Sequence, residues 1–131
     1  ELGRTEVIND NHFPRFSKQF KLDYYFEEEQ ILRFDVYDED KKNSTKLKDH
    51  DFLGSCAMKL GEILHEPGCI LGKKLMHRGK NLKNKKTKKY TSLIVTAEKV
   101  VTSGNEAITM QLGCRGLPKM DGLFGKSDPY F

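Results

Sequence analysis

The chain has 131 residues, 32% of them charged and 37% apolar, with a formal net charge of +4. That length fits one modest domain with a real core, and no apolar run approaches the roughly 20 residues that a membrane-spanning helix needs. Three cysteines, Cys56, Cys69 and Cys114, occur without a C-x-x-C pair, which argues for reduced cytosolic thiols over a disulfide framework. Cys56 and Cys114 fall on apolar positions of strand-like segments and read as small core hydrophobes. Glu1 opens directly onto a strand-like segment, with neither an initiator Met nor a secretory leader, and Phe131 falls at the start of another strand. The chain is therefore expected to be a piece of a longer protein.

In chain order the pattern is almost wholly β. Thr5–Ile8 reads as a short strand, followed by a turn around Asn9, Asn11 and Pro14. Phe16, Phe20, Leu22, Tyr24 and Phe26 share one parity and predict a second strand, with residues 27–30 as a polar hairpin tip. Ile31–Tyr37 predicts a third strand, and 41–49 a long charged loop. A fourth strand covers Phe52–Leu60, with Gly54 a bulge, and Gly61–Glu66 makes one helical turn. Leu71–His77, Tyr90–Glu98 and Ala107–Cys114 complete the strands. Short strands at this spacing indicate an all-β fold, an antiparallel sandwich or barrel.

The chemistry-bearing residues are carboxylates. Asp38 and Asp40 end the third strand, and Asp51 returns just before the fourth in His50-Asp51-Phe52-Leu53-Gly54. Asp121 and Asp128 recur near the C-terminus. Pooled in one place, five carboxylates repel unless a cation joins them, and Ca²⁺ takes oxygen-rich pockets of this kind. The ordinary alternative is a set of solvated acidic turns. An EF-hand needs an oxygen ligand at its fifth loop position and Gly at its sixth, where this sequence has Lys42 and Asn43. Gly125-Lys126-Ser127 mimics the end of a phosphate-binding loop, but Met120 stands where its first Gly belongs, and Pro129 cannot continue the helix that must follow. The four histidines, His12, His50, His65 and His77, form no metal pair, and no nucleophile elbow or dinucleotide loop occurs, so an enzyme is not expected.

Lys80, Lys83, Lys85, Lys86, Lys88 and Lys89 crowd one short stretch. Such a run suits anionic lipid, nucleic acid or nuclear import, or is simply a solvated, mobile loop. No aromatic residue interleaves it, which weighs against single-stranded nucleic acid as a partner.

In order along the chain, Gly3-Arg4-Thr5-Glu6-Val7-Ile8-Asn9, Phe34-Asp35-Val36-Tyr37-Asp38-Glu39-Asp40, His50-Asp51-Phe52-Leu53-Gly54, Leu60-Gly61-Glu62-Ile63-Leu64 and Phe124-Gly125-Lys126-Ser127-Asp128-Pro129-Tyr130-Phe131 resemble the C2 domain, and in detail the copines. The resemblance implies a C2-type antiparallel β-sandwich. It makes residues 1–98 strands three to eight of a first C2 domain, 99–106 a linker, and 107–131 the first strand and first calcium loop of a second. In copines a von Willebrand A-like domain follows the two C2 domains. Phe13 before Pro14, where copines usually carry Asn, and the compact lysine stretch depart from the family pattern.

By position, Asp38, Asp40 and Asp51 match ligands of a third calcium loop, and Asp121 and Asp128 those of a first loop. The function implied is calcium-dependent binding to anionic phospholipid membranes. Lys46, Lys48 and Lys126 would meet headgroup phosphates, Leu123 and Phe124 the interfacial region, and Lys83, Lys85, Lys86, Lys88 and Lys89 would add electrostatic affinity. The location implied is the cytoplasm, with calcium-driven movement to the plasma membrane and the nucleus as a further compartment. The alternatives are a calcium-independent β-sandwich that binds proteins and an accessory domain of a lipid-modifying enzyme. One more expectation concerns topology. C2 domains of two topologies differ by circular permutation, so residues 107–131 would complete the sandwich and bring Asp121 and Asp128 to Asp38, Asp40 and Asp51. The rival arrangement leaves this segment loose, or swaps it onto a neighbouring chain.

Overall fold

Apolar–polar alternation builds two antiparallel sheets that close on one core. The computed structural model describes residues 1–42, 44–102, 105–118 and 129–130, with 101–102 and 105–106 described by their backbone alone. In chain order the elements are β1 (Arg15–Asp23), β2 (Ile31–Asp38), β3 (Asp51–Lys59), helix α1 (Leu60–His65), β4 (Ile70–Lys74), β5 (Met76–His77), β6 (Lys80–Asn81), β7 (Ser92–Thr102), β8 (Asn105–Arg115) and β9 (Pro129–Tyr130). One sheet has the order β1-β8-β7-β4 and the other β6-β5-β3-β2-β9. The C2-type antiparallel sandwich read from the sequence is the fold observed.

The two inner faces supply the core. Phe34, Val36, Cys56 and Met58 of one sheet meet Leu93, Val95, Ile108, Met110 and Leu112 of the other. Burying each large aliphatic side chain stabilises by about 1.5–3 kcal/mol. Leu60 and Ile63 lie three apart on α1 and close one end of the core. The helix stops at Glu66, which is extended (φ −69°, ψ 146°) because it precedes Pro67. Cys56 and Cys114 are buried free thiols, and burial pushes Cys56 up to about 11 and Cys114 upward as well, so both remain inert protonated packing groups.

The bulge expected at Gly54 is present. Val36 faces Gly54 and Tyr37 faces Phe52, so Leu53 is the extra residue on β3. A Cβ on Gly54 would lie 2.8 Å from the Met76 carbonyl oxygen, which explains glycine at this close approach of two strands.

Several expectations are corrected. Thr5–Ile8 is not a strand. Glu6 instead accepts hydrogen bonds from the Ser17 amide, the Ser17 hydroxyl (2.6 Å) and the Lys18 amide (3.2 Å), pinning the segment to β1 by a side chain. Residues 27–30 are not a hairpin tip, because β1 and β2 belong to different sheets. Gln30 fastens this crossing by accepting from the Tyr25 amide and donating to the Asp23 carbonyl, both at 2.9 Å. The strand before it ends at Asp23, and Phe26, grouped by parity with the core, is 81% exposed. Leu71–His77 is two strands in opposite sheets. Leu75 between them is fully buried and hydrogen-bonds through its amide to Thr91 and through its carbonyl to Leu82, carrying the chain from one sheet to the other.

Residues 99–106, expected as a linker, are paired strand where described. β7 and β8 stay in register from Ser92–Arg115 to Thr102–Asn105. β8 also pairs with β1, from Arg15–Gly113 to Asp23–Ala107, so the C-terminal part of the chain fills the middle of a sheet. β9 then lies against β2, with Pro129 opposite Asp38 and Tyr130 opposite Tyr37. Among the described residues this is the strand pairing of the permuted sandwich; Asp121 and Asp128, which that arrangement would bring to Asp38, lie outside them.

Candidate functional site

β2 and β3 carry the acidic residues to one end of the sandwich. Their antiparallel register makes Asp38 and Asp51 direct cross-strand partners at the end of the ladder. Asp38 shares the parity of Phe34 and Val36, so alternation turns it inward, and it is 0% exposed. Its Oδ2 accepts no hydrogen bond among the described residues, although Asp38 is not without an interaction partner. Asp51 is exposed, as is Asp40 just beyond the strand.

The loop between the two strands is internally braced. The Ser44 hydroxyl donates to Asp49 (2.6 Å) and His50 Nε2 donates to the Ser44 carbonyl (2.9 Å). Arg4 reaches over from the N-terminal segment to the Thr45 carbonyl (2.8 Å). A 3-10 turn at Leu47–Asp49 follows, and Lys46 and Lys48 are exposed beside it. His50 and Tyr130 are both buried, and neither His50 Nδ1 nor the Tyr130 hydroxyl has a hydrogen-bond partner among the described residues.

Sequence reasoning missed the aromatic row beside this site. Tyr130, Tyr37, Phe52 and His77 sit on four neighbouring strands, with successive ring centroids 5.8, 5.3 and 5.7 Å apart. His50 adds an edge contact to Tyr130 at 5.5 Å. The signal was available in part, because Tyr37 and Phe52 directly flank the paired aspartates. The row is a rigid apolar shelf next to the acidic ladder end, and such ring pairs add about 0.5–1.5 kcal/mol each beyond their burial.

The fit of a calcium ion is partial. Asp38 and Asp51 provide two neighbouring carboxylates, but among the described residues no group of three or more His, Cys, Asp or Glu could hold a metal. Asp40 does not complete one. Asp121 and Asp128, and with them Leu123, Phe124 and Lys126, lie outside the described residues.

Lys83, Lys85, Lys86, Lys88 and Lys89 are all exposed. Their loop is organised from within by Asn84, a buried side chain that accepts from the Lys86 and Thr87 amides (both 3.0 Å) and donates to the Leu117 carbonyl (2.9 Å). Lys83 pairs with Tyr90 in an isolated bridge. The ammonium groups of Lys74 and Lys83 lie 4.0 and 4.6 Å from the Tyr90 ring centroid, so one exposed aromatic ring collects two positive charges.

Comparison with known proteins agrees with this architecture. The C2 domain family model matches residues 1–74. Nicotinic receptor-associated protein 1 of Caenorhabditis briggsae is 41% identical over 134 residues, covering 99% of this chain and 21% of that protein. Its namesake in Caenorhabditis elegans is likewise 41% identical over 134 residues, covering 99% of this chain and 20% of the relative. The chain thus spans about a fifth of the length of these curated relatives. No solved structure matches it at a significant level.

Proposed function

The chain belongs to the C2 domain family, and from that premise we propose that it is a non-catalytic membrane-binding module that docks on anionic phospholipid in response to calcium. One observation carries this reading: Asp38 and Asp51 are side by side at one end of the sandwich, with exposed lysines on the loop between them. A bound Ca²⁺ would supply positive charge there for lipid phosphate, with Asp38 and Asp51 as its holders and Asp40, Asp121 and Asp128 as the further carboxylates proposed for the same end. Lys46 and Lys48 would add attraction to an anionic surface, as would Lys126, and Leu123 and Phe124 would enter the interface. We further read the chain as part of a copine with tandem C2 domains, residues 107–131 opening the second, which works in the cytoplasm and moves to the plasma membrane with calcium.

A second reading is calcium-independent protein binding. It is favoured by relatives named for association with a nicotinic receptor and by the lack of a three-ligand metal group among the described residues. Co-sedimentation with phosphatidylserine vesicles separates the two. Calcium should drive the chain into the pellet, and Asp38→Asn with Asp40→Asn should keep it in the supernatant. Equal partition with calcium and with chelator leaves the protein-binding reading in its place.

A further inference from the structure

Thr87 carries the only hydroxyl between Lys80 and Lys89, and it is exposed at the tip of the lysine loop. The loop rises from the Lys83–Tyr90 bridge, and Asn84 fastens it. Besides the Lys86 and Thr87 amides held by its side chain, Asn84 donates its own amide to the Lys89 carbonyl (2.9 Å) and accepts from the Lys88 amide (2.8 Å). Lys85–Lys89 lies outside the strands, so releasing Asn84 extends this stretch without breaking a sheet ladder. Thr87 Oγ1 accepts a long hydrogen bond from the Lys89 amide (3.4 Å), and its O–H donates to no group among the described residues.

Several hydroxyls in this chain stand near lysines, and the fold separates them. A kinase with an acidic substrate groove selects a hydroxyl flanked by basic residues, because the charges are complementary. Thr91 follows Lys88 and Lys89 closely enough to suit such a groove, yet it is 0% exposed and donates to the Gly116 carbonyl (2.7 Å). Ser92 is locked in β7 between Arg115 on one side and Lys74 on the other. Thr45 is exposed beside Lys46, but its loop also carries Asp40 and Asp49, whose charge opposes an acidic groove. Thr87 joins exposure to a lysine at both positions before it and both positions after it. The chain leaves this loop into β7 at Ser92, opposite Arg115, at the end of the sandwich where β1 begins and β2 finishes. Thr87 and the Asp38–Asp51 pair therefore lie toward the same end.

We propose that Thr87 is a phosphorylation site for serine/threonine kinases that select basic substrates, and that its phosphate releases this end of the sandwich from anionic membrane. The release rests on the membrane-binding reading above; the site itself does not. The γ-phosphoryl group of Mg·ATP passes to Thr87 Oγ1, forming an O–P ester as its bond to the β-phosphate oxygen breaks. ADP leaves, and the hydroxyl proton goes to the kinase's catalytic carboxylate. The phosphate brings a charge of about −1.5 to −2 at neutral pH, which cancels about two of the positive charges of Lys83, Lys85, Lys86, Lys88 and Lys89.

The 131-residue chain incubated with Mg·ATP and the catalytic domain of protein kinase C should gain a phosphate that fragmentation mass spectrometry maps to Thr87. Thr87→Ala should lose most of the incorporation. With calcium and phosphatidylserine vesicles at low ionic strength, the phosphorylated chain should bind about tenfold more weakly than the untreated one, and added salt should close the gap. No phosphate at Thr87, or one placed first on Thr45, Thr91 or Ser92, overturns the proposal. Equal vesicle binding of the phosphorylated and untreated chains at low salt overturns the release. An untreated chain that never binds these vesicles removes the membrane reading and the release together, while a phosphate mapped to Thr87 upholds the site.

Discussion

Asp38 and Asp51 are direct partners across the β2–β3 ladder, the first sealed from solvent and the second exposed. Carboxylates placed directly opposite one another repel, so backbone pairing and the adjoining aromatic row hold this ladder end against its own charge. Asp51→Asn should therefore stabilise the calcium-free chain by several tenths to about 1 kcal/mol in urea denaturation. The same substitution should weaken calcium-driven vesicle binding. A calcium-free chain made less stable by the change would show that no such repulsion exists.

Glu6 fastens the N-terminal segment to β1, and its titration should be visible in stability. Partial burial raises its carboxyl, but hydrogen bonds from the Ser17 hydroxyl and from the Ser17 and Lys18 amides outweigh that and hold it at about 2, below the ordinary 4.5. A folded-state value below the unfolded one contributes stability that is fully present above about 4.5 and lost as pH falls toward 2. Thermal melts of the parent and Glu6→Gln should differ most above that window and converge within it. A gap that stays constant down to about pH 2 would remove Glu6 from this role.

The lysine loop offers charge on a built support. Replacing Lys83, Lys85, Lys86, Lys88 and Lys89 with Gln should weaken binding to anionic vesicles at low ionic strength, with juxtamembrane lysines contributing about 1 kcal/mol each. Added salt should erase most of the difference. Asn84→Ala leaves the charge intact but removes the three side-chain hydrogen bonds that shape the loop. If shape matters as well as charge, that variant should also bind more weakly. Vesicle co-sedimentation against salt concentration reads both effects, and unchanged low-salt binding of the Gln variant returns the loop to a solvated connector.

Ile108 tests whether β8 belongs to the core. It is 1% exposed and pairs on both sides, with Leu22 of β1 and Lys99 of β7. Ile108→Ala should cost about 2–5 kcal/mol in chemical denaturation, as large-to-small changes in packed cores do. A cost near zero would mean that the C-terminal strand is dispensable to this sandwich.

Strand positions were legible wherever one face is buried. The parity of Phe34 and Val36, and of Ile108, Met110, Leu112 and Cys114, follows from alternation alone, and the structure buries all six. Leu75 was not legible as a crossing point, because its apolar character suits a strand interior as well as a passage between sheets. The same holds for the Gln30 brace: its partners are Asp23, the last residue of β1, and Tyr25, in a connection whose two flanking strands never pair. Phe26 shows the converse, since parity continues on paper past the residue where β1 stops.

Of the site, the sequence by itself determined that Asp38, Asp40 and Asp51 end or begin adjoining strands, because strand phase and loop position are local properties. Which of them meet was a tertiary outcome. The β2–β3 register, shifted by the bulge at Leu53, sets Asp38 opposite Asp51 and leaves Asp40 beyond the ladder. Only the folded chain could place Tyr130 against Tyr37 and β8 against β1, since those pairings span most of the sequence, whereas β7 and β8 pair as a local hairpin.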